Sequence, residues 1–85
     1  MIKYTIYTEN KTNLVEILQG NVTNYTIYPA MGTWRGFAQE TAAITILSEP
    51  NIDETVRRIA KAIKFANNQA HVLIERSIVD TMEVV

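Results

Sequence analysis

The pentapeptide G-T-W-R-G holds the residue types of this chain that are best suited to binding a small ligand. Trp34, the only tryptophan, offers a large stacking surface, and Arg35 offers a planar fork of donors that matches phosphate or carboxylate. Gly32 and Gly36 let the backbone approach a ligand closely or adopt a positive φ. Glu40 follows at the mouth of the same stretch and is placed to accept a hydrogen bond from a ribose hydroxyl or an amine. These five residues are the predicted ligand-binding site.

The alternative is that this stretch has a purely structural role. Trp34 would fold back onto a sheet, the glycines would make turns, and Glu40 would form an ion pair with Arg35. The stretch has neither the spacing of a phosphate-binding loop nor that of a dinucleotide-binding fingerprint. Its composition therefore points to recognition of a planar or anionic group without naming that group.

Catalytic and metal-binding chemistry finds little support in the residue pattern. His71 is the only histidine and the chain has no cysteine, so no metal site or Ser-His-Asp triad emerges from the spacing. Glu9, Glu40 and Glu75 are carboxylates that folding could bring together, which leaves an enzyme as the lowest-ranked hypothesis. We expect no catalytic residue, no metal and no cofactor.

The charge balance argues against nucleic acid as a partner. Eight Lys and Arg residues stand against nine Asp and Glu, a net charge of −1, whereas nucleic-acid binders are normally basic. Tyr25 and Tyr28 have odd spacing on a predicted strand and would face opposite sides of it. Together with Tyr4 and Tyr7 they have few basic neighbours, so we expect packing in the core or an interface and no stacking on RNA bases.

Hydrophobic periodicity predicts the elements that must position these residues. Their order is strand, helix, strand, strand, helix, strand, with a wide hairpin loop at 30–39 because Pro29 ends the strand before it. The predicted strands span 2–8, 25–28, 40–48 and 71–77, the helices about 13–20 and 51–66, and a strand-like tail 78–85.

Polar residues mark the predicted helix ends. Asn13 with Glu16, and Asn51 with Glu54, have the spacing of an Asn-led capping box. The pair Asn67-Asn68 predicts a left-handed ending of the second helix.

The element order is that of the ferredoxin-like βαββαβ fold, an α+β arrangement with two helices on one face of an antiparallel sheet. We expect one domain, 1–85, with an extra C-terminal strand. A chain this short buries only roughly 60–65% of its unfolded surface, so association with further copies would relieve a thin stability margin.

The chain offers no signal for a membrane. No stretch approaches the roughly 18 consecutive apolar residues of a membrane span, and the first eight residues alternate instead of forming a signal-peptide core. We therefore expect a cytoplasmic protein without membrane association.

The spaced residues T-x-x-x-A-x-G-x-W-x-G…E, here Thr26 to Glu40, resemble a signature of small bacterial and phage-encoded proteins of unassigned function. More distantly, the whole chain is similar to the PII-like superfamily. Family members commonly carry an acidic residue after the glutamine that here is Gln69, where this chain has Ala70 followed by His71. The resemblance implies a ring of ferredoxin-like subunits, typically a trimer, with small ligands such as adenine nucleotides in clefts between subunits.

Two functional hypotheses follow. The first is a non-enzymatic homo-oligomeric binder of a small anionic, nucleotide-like ligand, acting as a PII-like sensor or as a phage-type sponge that sequesters a signalling nucleotide. In it, Trp34 stacks, Arg35 meets charge and Glu40 accepts a hydrogen bond. The alternative is a protein-interaction module or inhibitor that docks through the 30–39 loop and a sheet edge.

Overall fold

A computed structural model describes the backbone of all 85 residues and every side chain except that of Trp34. The predicted element order and the ferredoxin-like α+β fold are confirmed. The elements are β1 (Ile2–Glu9), α1 (Leu14–Gln19), β2 (Thr26–Trp34), β3 (Phe37–Ser48), α2 (Asp53–Ala66) and β4 (Leu73–Ile78).

The four strands form one antiparallel sheet in the order β2-β3-β1-β4. β1 and β3 are central and pair from Ile2 opposite Ser48 to Glu9 opposite Thr41. A central place for β3 is what its lack of charged residues beyond Glu40 predicts. β2 and β4 are the outer strands, each with one edge that no strand of this chain covers.

Side chains of the central strands alternate between a helix-covered face and an open face. Alternate apolar residues of β1 and β3 meet the buried faces of the two helices, which follow helical spacing. The fully assembled core consists of Tyr4, Ile6, Leu14, Leu18, Ala42, Ile44, Ile46, Val56, Ile59 and Ile63.

The predicted wide loop at 30–39 is wrong. β2 continues through Pro29 to Trp34 and β3 begins at Phe37, which leaves only Arg35 and Gly36 as a two-residue turn. Both turn residues have positive φ, 50° and 83°, as in the type I′ turns that match the twist of antiparallel strands. Pro29 is tolerated because β2 is an outer strand, where a missing N–H need not break the ladder.

The helix ends follow the predictions in part. The predicted side-chain cap at Asn13 is wrong: its Oδ1 accepts a hydrogen bond from Asn67 Nδ2 at 3.0 Å, which ties the start of α1 to the end of α2. The predicted capping box at Asn51 is wrong as well: the N-cap of α2 is Ile52, which makes no side-chain cap bond. Asn51, one residue earlier, still accepts at its Oδ1 from the Asp53 N–H at 2.9 Å. Asn68 has a φ of 51°, the predicted left-handed ending.

The predicted extra strand in the C-terminal tail is also wrong. The Val79 N–H donates to the Met1 carbonyl at 2.9 Å, after which residues 80–85 form no strand. β4 pairs only with β1, whose first paired residue, Ile2, lies opposite Ile78. The tail therefore runs past the end of the one strand that could have continued its ladder.

A polar network connects β1, α2 and β4 at the margin of the core. The buried Tyr4 hydroxyl donates to Asp53 Oδ1 at 2.6 Å and accepts from the Ile52 N–H at 3.0 Å. Arg76 lies opposite Tyr4 in the sheet and donates to Asp53 Oδ2 at 2.7 Å. Burial, reinforced by the hydrogen bond to Asp53, raises the pKa of Tyr4 above its usual 10.0, so the hydroxyl remains a donor.

Removing the Asp53 carboxylate is expected to have a pH-dependent cost. The hydrogen bond from Tyr4, helped by Arg76 and against some desolvation, lowers the pKa of Asp53 below its ordinary 3.8. A pKa that is lower in the folded state adds stability above the unfolded pKa, and this stability is lost as pH falls through the folded pKa. The difference in Tm between wild type and Asp53→Asn should therefore be largest above about pH 5 and shrink below about pH 4.

Thermal unfolding followed by circular dichroism between pH 7 and pH 2.5 measures this difference. Asp80→Asn, which changes an exposed carboxylate in the C-terminal tail, is the matched control. A difference for Asp53→Asn that stays constant down to pH 2.5 would contradict the assignment.

Candidate functional site

A cleft of about 340 Å³ lies at one end of the sheet. The end of β1, the last third of β2, the start of β3 and the segment that follows α2 all meet there. Its walls include Tyr7, Glu9, Gly32, Gln39, Gln69 and His71. A volume of this size lies in the lower part of the range typical of small-molecule sites.

Gln69 is the buried polar residue of this cleft, with 9% of its surface exposed. Its Oε1 accepts two hydrogen bonds, from Thr8 Oγ1 at 2.9 Å and from the Glu9 N–H at 3.2 Å. Its Nε2 is buried and has no hydrogen-bond partner among the described atoms. Because a backbone N–H can only donate, the Glu9 contact requires the amide oxygen at that position and leaves the NH₂ group as the unpaired end.

The ending of α2 places Gln69 there. Asn68 adopts the left-handed conformation, and the Gln69 N–H donates to the Lys64 carbonyl at 2.9 Å while the Asn68 N–H donates to the Phe65 carbonyl at 3.4 Å. This pair of bonds is the Schellman pattern of helix ends. It reverses the chain within two residues and brings the Gln69 side chain under the end of β1.

Glu9 supplies the negative charge of the cleft. Its Oε1 accepts from Gln39 Nε2 at 2.5 Å, and Lys11 Nζ lies 3.5 Å from its Oε2. Lys11 is exposed and does not line the cleft. The described wall of the cleft therefore contains a carboxylate and a histidine, but no lysine or arginine.

Gly32 is required by a close approach within the cleft wall. A Cβ atom at this position would lie 2.7 Å from Thr41 Oγ1, which is closer than van der Waals contact allows. The Thr41 hydroxyl is held at this place by its hydrogen bond to the Gln39 carbonyl at 3.2 Å. The glycine thus serves the packing of two strands and, by the same means, keeps the cleft open.

The five predicted site residues do not lie together in the structure. Gly32 lines the cleft, whereas Arg35 and Gly36 form the exposed turn beyond it. Trp34 ends β2 with its backbone paired to Phe37, and its side chain lies outside the described part of the structure. Glu40 pairs with Met31 and alternates with Gln39, so it points to the other face of the sheet from Gln39, and it does not line the cleft. The ligand-binding role of these five residues stays a prediction.

Sequence reasoning missed Glu9, Gln39 and Gln69 as site residues. Gln39 falls within the predicted 30–39 loop and Glu9 lies one residue beyond the predicted first strand, although both belong to strands. A signal for Gln69 did exist: a polar residue directly after a predicted left-handed helix ending returns toward the core. Its burial, however, depends on contacts with β1, which is 60 residues away in the chain.

The cleft opens onto the uncovered face of the sheet. On that face Tyr28, Ala43, Tyr7 and Leu73 lie in one row across all four strands, each opposite the next in the pairing register. Tyr28, Tyr7 and Leu73 are 53%, 37% and 57% exposed. We name this the aromatic row; its Tyr7 and Leu73 also line the cleft. As expected, Tyr25 belongs to the other face, where it packs against the core.

No helix in the described chain has the length and apolar character to cross a membrane. Among the described residues, no three His, Asp or Glu side chains lie together in an arrangement suited to a metal ion.

No family model and no curated protein matches this chain. The solved structures that are similar to it include a designed protein and a bacterial protein. The de novo designed protein Foldit4 matches with a TM-score of 0.51 and 13% identity, over 92% of this chain and 94% of its own, which shows the fold alone. A candidate PII-like signalling protein from Thermus thermophilus matches with a TM-score of 0.52 and 27% identity, over 89% of this chain and 84% of its own. This second likeness supports the distant PII-like relation that the sequence predicted.

Proposed function

We propose that this protein is a non-enzymatic, homo-oligomeric binding protein for a small nucleotide-like ligand, in the manner of a PII-like sensor or of a sponge that sequesters a signalling nucleotide. The observation that carries the proposal is the buried, unpaired Nε2 of Gln69 in the wall of an open cleft. An unmet buried donor costs about 1–3 kcal/mol, and a bound ligand with a suitable acceptor would recover that cost. The likeness to a PII-like signalling protein supports the same role.

Self-association is part of the proposal, with a trimer favoured. The aromatic row exposes apolar surface on a face that neither helix covers, and the small core of an 85-residue chain gains from burying it. Because Tyr7 and Leu73 belong both to the row and to the cleft, a second copy packed on this face would close one side of the cleft. The ligand would then lie between subunits.

The hairpin turn completes the proposed site. Gly32 and Gln39 line the cleft, and Arg35 follows within three residues on the same hairpin. A phosphate that extends from the cleft would thus meet the turn, where Arg35 supplies charge and Gly36 lets the backbone approach. Trp34 keeps its proposed role as a stacking residue. Glu40 remains the proposed acceptor for a ribose hydroxyl only if the ligand reaches round the hairpin. We place this activity in the cytoplasm.

A thermal-shift panel of nucleotides and cyclic nucleotides, combined with native mass spectrometry, tests the proposal. A ligand at a hundredfold excess over its Kd should raise the free energy of unfolding by about 2.7 kcal/mol. Arg35→Ala and Trp34→Ala should reduce the shift, whereas Arg58→Ala on α2, distant in sequence from the hairpin, should not. The mass spectrum should contain a homo-oligomer.

The alternative role, a protein-interaction module, is an outcome of the same experiment. No shift with any nucleotide, together with capture of a stoichiometric protein partner, would overturn ligand binding in its favour. The 30–39 segment would then dock as a strand hairpin, because the structure leaves only a two-residue turn there.

A further inference from the structure

Building on this function, we propose that the cleft recognises an uncharged polar group with an acceptor next to a donor, as on the edge of a nucleobase, and that it excludes phosphate. The charge and the hydrogen-bonding inventory of the described cleft wall both lead to this conclusion. The uncharged part of the ligand would enter the cleft, and the charged part would stay outside it.

The unpaired donor of the cleft wall is fixed in kind. Gln69 Oε1 is held by Thr8 and by the Glu9 N–H, so the amide cannot flip without placing its NH₂ group against a backbone N–H. The Nε2 end therefore always presents donors, and its natural partner is a carbonyl oxygen or an unprotonated ring nitrogen. Such acceptors are uncharged on nucleobases and on amides.

The acceptor beside it is Glu9. Its carboxylate takes one hydrogen bond from Gln39 and one ion pair from Lys11, which leaves lone pairs on both oxygens for an exocyclic amine. The Glu9 backbone N–H donates to Gln69 Oε1, so the two residues are in direct contact. The Gln69 Nε2 donor and the Glu9 carboxylate acceptor therefore belong to neighbouring residues. A ligand edge that offers an acceptor and an amine side by side matches this pair.

Phosphate does not suit the same wall. No lysine or arginine lines the described cleft, and Lys11, which lies 3.5 Å from Glu9 Oε2, is already paired with that carboxylate. A dianion in the cleft would therefore lie beside a carboxylate and meet no unpaired cation of the described wall. Tyr7 and Leu73 add a flat apolar surface where the cleft meets the open face, which suits a planar ring. Phosphate would lie outside, toward the turn at Arg35.

Isothermal titration calorimetry of the whole chain tests the proposal with adenosine, guanosine, cytidine, uridine, their 5′-monophosphates and inorganic pyrophosphate. At least one nucleoside should bind with a Kd within about tenfold of its monophosphate, and pyrophosphate should not displace it. A monophosphate that binds while its nucleoside is about a hundredfold weaker, or that pyrophosphate displaces, overturns this inference but keeps the proposed function. Binding by none of the nucleosides or monophosphates overturns this inference, and the proposed function falls with it only if the cyclic nucleotides of the thermal-shift panel also give no shift.

Gln69→Glu provides the residue-level test. The variant keeps an oxygen for Thr8 and for the Glu9 N–H but replaces the free donors with an acceptor, so nucleoside affinity should fall at least about tenfold. Gln19→Glu, at an exposed position of α1, makes the same charge change and should leave affinity unaltered. Thermal unfolding of both variants confirms that they fold. An unchanged affinity in folded Gln69→Glu overturns the proposal.

Discussion

Ile44→Ala is expected to lower the free energy of unfolding by about 2–5 kcal/mol and Tm by roughly 10–30 °C. Ile44 is fully buried on the central strand β3, between Ile6 of β1 and Ile27 of β2 in the pairing register. Both neighbouring strands hold it in place, so the cavity left by the lost atoms cannot collapse easily. In a domain with a stability of only about 5–15 kcal/mol, this loss is a large share of the total.

Ile78→Ala is the matched control, since it makes the same chemical change at a residue that is 71% exposed on the outer strand β4. Its cost should stay within about 1 kcal/mol. Urea unfolding followed by circular dichroism measures both variants. Equal losses of stability in the two would show that the sheet is not packed as described.

Tyr4→Phe is expected to cost about 1–3 kcal/mol although it removes one oxygen atom. The hydroxyl both donates to Asp53 and accepts from the Ile52 N–H, so its loss leaves a carboxylate and a backbone donor without this partner. The ring itself remains in the core, and no cavity of consequence forms. The cost therefore reports the polar network that attaches the start of α2 to β1.

Tyr28→Phe makes the same change in the aromatic row, on the open face, and should be nearly neutral. Combining Tyr4→Phe with Asp53→Asn in a double-mutant cycle isolates the interaction, because the two single losses should not add. Strict additivity would place the cost of Tyr4→Phe elsewhere than in its bond to Asp53.

Much of the fold could be predicted from local pattern. The alternation of Ile2, Tyr4 and Ile6 predicts a half-buried strand, and Val56, Ile59 and Ile63 predict a buried helix stripe. Such periodicities carry over to the structure because each element buries one face against the same core. The left-handed ending at Asn68 was predictable for a similarly local reason, since asparagine tolerates positive φ.

The errors arose where a local signal depends on its neighbours. Pro29 ends a strand only if both edges are paired, and the sequence does not say that β2 is an outer strand. Asn13 has the spacing of a cap, but its oxygen binds Asn67 across the helix pair instead. The tail alternates like a strand, yet the β1–β4 pairing already ends at Ile2 opposite Ile78, so β1 has no further residue for the tail to pair with.

The cleft likewise depends on contacts between residues that are far apart in the chain. Residue types and spacing determined the ferredoxin-like order of elements and a chain reversal at Arg35-Gly36, although not its two-residue length. They did not determine that Gln69, Glu9 and Gln39 meet, because that meeting joins residues 30 and 60 positions apart through hydrogen bonds. Only the packing of α2 beneath the sheet buries the Gln69 amide and leaves its Nε2 unpaired, and it is this tertiary placement that turns an ordinary glutamine into the centre of a candidate binding site.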